Sequence, residues 1–124
     1  MPDESTTLAE LRRLVAEFVT EREWQGYHDA KNLSMAIAIE AAELMEHFQW
    51  VRNEELAGLL GDAKLRAQIN DEVADILCFL LALANALELD LATAVERKMV
   101  KNAAKYPTET FRGCYFKPKR GEDS

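Results

Sequence analysis

Hydrophobic residues recur along this chain at the three- and four-residue spacing of helices. Leu8, Leu11, Val15 and Phe18 share one face of a first helix, announced by a capping box in which Glu10 follows Thr7 by three. That helix is predicted to run to about residue 24 and to stop near Gly26. A loop through Tyr27, His28 and Asp29 leads to Asn32, placed to cap a second helix over residues 33–51. Asn53 is placed to cap a short helix over 54–60, closed by Gly61. Asp62 then opens a long helix to about residue 87, some 25 residues or ~38 Å at 1.5 Å per residue. Asp90 caps a last principal helix over 91–105, which Pro107 ends. The pattern predicts an all-α fold, a four-helix bundle over residues 1–107, followed by an irregular tail over 108–124 with Lys117, Lys119 and Arg120.

Composition narrows the class. At 124 residues the chain is long enough for one domain with a core and too short for two. Apolar residues at 48% and charged residues at 30% are globular rather than disordered proportions. Five glycines and three prolines leave most of the chain without punctuation, which suits helices. A net charge of −7 argues against binding nucleic acid polymers through their backbone. No run reaches the ~18 apolar residues of a membrane span, and the N-terminus lacks a signal pattern. Cys78 and Cys114 do not make a disulfide framework. A soluble, cytoplasmic protein is expected. Residues 76–87 are uncharged, and Met35, Ile37, Ile39 and Met45 add to the apolar surface. A bundle helix apolar all round points to burial against a second copy.

Charge placement supplies the chemistry. Glu40 and Glu43 form one E-x-x-E pair, and Glu72 and Asp75 an E-x-x-D pair, each on one helix face. Glu46 continues the first face by a turn, and none of Glu40, Glu43 or Glu46 has a Lys or Arg four residues on. A solvated amphipathic face normally mixes both signs, and a lone E-x-x-E means little. Two such pairs without basic partners are different. Folding them together crowds like charges into a partly apolar setting, which costs several kcal/mol unless a cation neutralises them. Carboxylate oxygens suit magnesium, with manganese as a substitute. Magnesium keeps open positions for phosphate oxygens, so a di- or triphosphate is the natural guest. Glu46 is a candidate third ligand or general base.

Two further groups fit such a guest. Lys98, Asn102, Lys105 and Tyr106 lie on one face of the last helix, in a stretch of local charge opposite to the chain's. Cations completing a helix C-terminus explain some of this, but not the Asn and Tyr. Trp24, His28, Asn32, Phe48, Gln49 and Trp50 gather around the first acidic pair and could stack on a nucleobase. Neither His28 nor His47 completes the Glu-x-x-His of di-iron bundles, and H-E-x-x-H, C-x-x-C and P-loop motifs are absent.

These residues resemble the MazG-like all-α nucleotide pyrophosphohydrolases, and within them the short dCTP pyrophosphatase branch. The resemblance rests on Trp24, His28, Asn32 and Leu33, on Glu40, Glu43, Leu44, Glu46 and Phe48 to Trp50, on Glu72 and Asp75, and on Lys98, Asn102 and Lys105 to Pro107. It implies magnesium-dependent hydrolysis of a nucleoside triphosphate, dCTP or a modified dCTP, to monophosphate and pyrophosphate. By position it makes Glu40, Glu43, Glu72 and Asp75 metal ligands and Glu43 or Glu46 the base. By the same resemblance Lys98, Asn102, Lys105 and Tyr106 would contact phosphates or sugar, and Trp24, His28, Asn32 and Trp50 would surround the base or its approach. Phe79 stands where that branch often carries tyrosine, against sugar or base. Ile39 and Ala42 stand where relatives often carry glycine. Relatives of this type form dimers or dimers of dimers, so a homotetramer is implied. The competing classes are a phosphohydrolase for another nucleotide pyrophosphate and a non-enzymatic helical interaction protein.

Overall fold

The computed structural model describes residues 1–114. They form six α-helices and two short 3-10 turns, with no strand among the described residues. They divide into two compact units, Met1–Leu89 and the part from Asp90 onward.

In the first unit, α1 spans Leu8–Glu21. Its capping box is as read: Glu10 N donates to Thr7 Oγ1 at 3.1 Å, and Thr7 N donates to Glu10 Oε2 at 2.8 Å. The helix stops before Gly26 because Glu23 takes a left-handed conformation, φ 54°. Trp24 N then donates back to Val19 O at 3.1 Å. A non-glycine residue in that region is held at a cost of ~1 kcal/mol or more, and here it turns Trp24 back toward α1.

The second helix, α2, spans Ala30–Glu46 and starts earlier than residue 33. Asp29, not Asn32, is its cap: Asp29 Oδ1 accepts from Asn32 N at 2.8 Å. Asn32 lies inside the first turn, where its amide donates to Tyr27 O at 3.1 Å and holds the preceding loop. The helix also ends short of residue 51. Phe48 N to Met45 O and Val51 N to Phe48 O are three-residue bonds, so the chain tightens into turns there.

Asn53 starts a 3-10 turn rather than capping a helix, and α3 (Leu56–Leu60) follows, closed by Gly61. The long helix α4 spans Ala63–Leu87, the predicted bounds, with Asp62 Oδ1 accepting from Lys64 N and Leu65 N. Glu88, at φ 54°, ends it.

Helix α4 is the hub of this unit, packing most extensively on α2 and also against α1 and α3. His47 approaches Glu72, while Asp29 and Ala30 share a cavity with Ala82 and Leu87, so α2 and α4 run antiparallel. The buried side chains are Val19, Leu33, Leu81, Ala82 and Ala84. Each large aliphatic among them contributes about 1.5–3 kcal/mol. A polar clamp ties α1 to the end of α4. Arg12 Nε donates to Asn85 Oδ1 and Asn85 Nδ2 to Arg12 O, both at 3.0 Å, and Arg12 Nη1 also donates to Leu89 O.

Helix α4 is not buried all round within one chain. Val73, Leu77 and Leu80 are 51%, 41% and 40% exposed, and on α2 Met35 and Ile39 are 56% and 57% exposed.

The second unit begins with α5, Leu91–Lys105, again at the predicted bounds, with Asp90 Oδ1 accepting from Thr93 N at 3.1 Å. Pro107 ends it and caps one further turn, α6 (Thr108–Phe111), in a stretch expected to be irregular. The Tyr106 and Phe111 rings meet edge to face at 5.2 Å. Lys117, Lys119 and Arg120 lie outside the described residues. No single described helix is long and apolar enough to cross a membrane.

Candidate active site

The antiparallel pairing of α2 and α4 brings the two acidic motifs together. One carboxylate oxygen each from Glu40, Glu43 and Glu72 lie within 4.8 Å of one another. Asp75, one turn along α4 from Glu72, stands outside this trio. It remains close enough for its charge to act on Glu40. Glu46 is exposed, one turn on, and is not part of the trio.

Two atoms of the trio have unmet demands. Glu40 Oε2 and Glu72 Oε2 are buried with no hydrogen-bond partner. Burial pushes the Glu40 carboxyl up from 4.5 to about 7, helped by the adjoining Glu43 and Glu72 carboxyls and by the charges of Glu43 and Asp75. Leaving a buried oxygen unpaired costs ~1–3 kcal/mol or more. A hard divalent cation meets both demands at once, since it accepts lone pairs from several carboxylates and cancels their repulsion. The donor set, all oxygen, fits magnesium or manganese.

The raised carboxyl has a consequence for stability. Its folded-state affinity for a proton exceeds the unfolded one, so the metal-free protein is most stabilised by this group below pH 4.5 and loses that stability as pH rises through about 7. Chemical denaturation in chelator at successive pH values should show this decline. Glu40→Gln should flatten it. An unchanged slope in that variant would assign the decline to other groups.

Next to the acids lies a cavity of about 390 Å³. Asp75 and Phe79 line it from α4, Trp24 and His28 from the turn after α1, and Val15 and Phe18 from α1 itself. Asp75 thus joins the acids to an aromatic chamber. Phe18 and Trp24 meet edge to face at 5.8 Å, and the Arg22 guanidinium covers the Phe18 ring at 3.7 Å. A larger cavity, about 500 Å³, shares His28 with this one but contains none of the four acids. Of the two, the smaller is the one that an acid of the set lines.

Other predicted residues sit elsewhere. Trp50 is 86% exposed and does not line the aromatic cavity. Lys98, Lys105 and Tyr106 are exposed on the second unit, where the Lys105 ammonium sits 5.4 Å from the Tyr106 ring centre, and Asn102 is half-buried. Four residues found here are invisible to sequence patterns. Phe18 and Val15 read as core spacing, and Cys78 as part of an apolar run, yet all three line the cavity. His47, whose Nε2 lies 3.8 Å from Glu72 Oε1, carries no motif at all.

Comparison with known proteins decides the family. A model described as the MazG-like family matches residues 35–114, which include all four acids and the whole of α5. The chain belongs to the MazG-like family. Among curated MazG-like relatives, the dCTP pyrophosphatase 1 of Bos taurus is 42% identical over 111 residues, covering 90% of this chain and 66% of that protein. The dCTP pyrophosphatase 1 of Homo sapiens is 40% identical over 106 residues, covering 86% of this chain and 62% of that protein. The chain thus spans just under two thirds of the length of these curated relatives. Among solved structures, a crystal structure of a pyrophosphatase from Archaeoglobus fulgidus superposes with a TM-score of 0.76 at 40% identity, covering 86% of this chain and 98% of that one. The MazG-like fold and the resemblance to the dCTP pyrophosphatase branch are therefore established for this chain.

Proposed function

We propose that this protein is a magnesium-dependent nucleoside triphosphate pyrophosphohydrolase, acting on dCTP or a 5-modified dCTP and releasing the monophosphate and pyrophosphate. One observation carries the reading: buried, unpartnered carboxylate oxygens stand beside an aromatic cavity and are joined to it by Asp75. The relatives named dCTP pyrophosphatase 1 support the substrate class.

Glu40, Glu43, Glu72 and Asp75 would hold magnesium, or manganese in its place, which neutralises the triphosphate and raises the acidity of water. The remaining work falls to the chain. Trp24, His28 and Phe79 take the base into the cavity, and its apolar walls exclude water from that end of the nucleotide. Glu43, the exposed member of the trio, orients the attacking water in line with the α-phosphorus and accepts its proton. Glu46 is the poorer base on this reading, since it stands outside the trio. The cationic residues of α5, Lys98 and Lys105, with Asn102 and Tyr106, suit the departing pyrophosphate and the sugar. Asn32 supports the site through the loop that carries His28.

A panel of nucleotides with magnesium, with products separated by ion exchange, tests the reaction. The expected products are monophosphate and pyrophosphate in equal amounts, with a cytosine deoxynucleotide turned over best. Diphosphate and free phosphate would overturn the cleavage site. A purine triphosphate with the highest kcat/KM would overturn the substrate assignment alone.

The exposed apolar stripes of α2 (Met35, Ile39) and α4 (Val73, Leu77, Leu80) support assembly into a homo-oligomer, a tetramer built from dimers. Light scattering at micromolar concentration should read a multiple of the 14.0 kDa chain. A stable, active 14.0 kDa species would show that one chain suffices.

A further inference from the structure

His47 is a polar neighbour of the acidic trio that the catalytic reading leaves without a role. It closes α2: its backbone N–H donates to Leu44 O and Met45 O, which anchors the residue at the helix end. Its ring reaches across to α4, with Nε2 3.8 Å from Glu72 Oε1. Both side chains are only a fifth exposed, 19% and 20%. The two oxygens of Glu72 therefore differ in their surroundings. Oε1 faces the imidazole, and Oε2 is buried without a hydrogen-bond partner.

We infer that His47 is a positioning residue for Glu72, donating from Nε2 to Oε1 so that Oε2 stays aimed at the cation. The inference rests on the metal-site reading above. A carboxylate on a flexible two-carbon stem can rotate away from an ion, and an outer donor on the other oxygen removes that freedom. The 3.8 Å separation exceeds the 2.7–3.2 Å range of an N–H···O hydrogen bond, so the inferred contact requires the Glu72 carboxylate to rotate toward the ring. Outer partners of this kind are worth ~10–100-fold in metal affinity. Imidazole is suited to the task because its ring is anchored by the helix end and has few rotamers to lose. The inference concerns aim rather than chemistry, so its effect belongs in cation affinity and not in turnover at saturation.

The decisive comparison uses amide side chains, which keep the helix end polar. A Gln amide nitrogen falls near the imidazole Nε2, whereas the shorter Asn amide falls near Nδ1. Binding of manganese alone to the nucleotide-free protein, read by the loss of free-ion electron paramagnetic resonance signal, should weaken about 10-fold or more in His47→Asn and in His47→Leu. His47→Gln should restore most of the affinity. At saturating magnesium all three variants should approach the parent kcat, with unchanged KM for nucleotide. Equal affinity in His47→Asn and the parent would overturn the inference, as would a His47→Gln as weak as His47→Asn. A parent that binds no manganese would instead overturn the metal-site reading itself. The two failures are thus distinct.

Discussion

Glu43→Gln is expected to abolish nearly all turnover while leaving the metal-free protein at least as stable as the parent. The two effects have one cause. Glu43 brings a like charge to Glu40 and Glu72, within 4.8 Å, and that charge helps to hold the Glu40 proton. Gln keeps the shape and a hydrogen-bonding oxygen but removes the repulsion, so the empty cluster relaxes. The same loss weakens the cation and takes away the base. Removing an outer partner of a metal ligand costs up to ~100-fold, and removing a ligand that also accepts the proton should cost more. Glu43 is exposed, so no core cavity is opened. Steady-state rates at saturating magnesium and melting curves in chelator measure both halves. Near-parent kcat at saturation would refute the assigned role, and a lowered melting temperature would show that the trio is not repulsive when empty. Asp75→Asn should follow the same pattern, with a second deficit in nucleotide affinity because Asp75 also lines the cavity.

Trp24→Ala should raise KM for the preferred nucleotide about 10–100-fold with little change in kcat, since stacking of a base on an aromatic ring is worth ~1–3 kcal/mol. The residue is 43% exposed and sits beyond the end of α1, so its loss removes a wall of the cavity rather than a support of the core. It also strips Phe18 of its edge-to-face partner, while the Arg22 guanidinium stays over that ring. A triphosphate with no base, such as methyl triphosphate, distinguishes the two ends of the site. Its hydrolysis should be equally slow in parent and variant. If Trp24→Ala slowed the baseless substrate as much as dCTP, the cavity would not be the base site and Trp24 would act on the phosphates or on the fold.

Much of the backbone is legible because its signals are local. Asp62 and Asp90 cap α4 and α5 through N–H groups two or three residues away, so the bounds Ala63–Leu87 and Leu91–Lys105 can be read directly from the chain. Where two signals compete, the pattern misleads. Asp29 and Asn32 are both good caps three residues apart, and either can start a helix; here Asp29 caps α2 and Asn32, inside its first turn, holds Tyr27 O. The end of α1 is misread for a related reason. Gly26 carries the expected breaker signal, yet the left-handed residue is Glu23, whose side chain announces nothing.

The acids follow the same division. Charge without nearby countercharge is a property of the sequence, and it identified Glu40, Glu43, Glu72 and Asp75 as a set that a folded chain must neutralise. Which of them converge was decided by the antiparallel pairing of α2 on α4, which draws Glu40, Glu43 and Glu72 together and leaves Asp75 facing the cavity. The cavity itself is a product of tertiary structure. Its walls come from α1, the following turn and α4, and each wall residue alone has the spacing of ordinary core. His47 shows the limit most sharply, since its meaning lies wholly in a partner on another helix. Local hydrogen bonding and charge composition are short-range properties that a chain displays before it folds. Convergence, burial and the direction in which a carboxylate points depend on contacts between distant segments, and these exist only once the helices have packed.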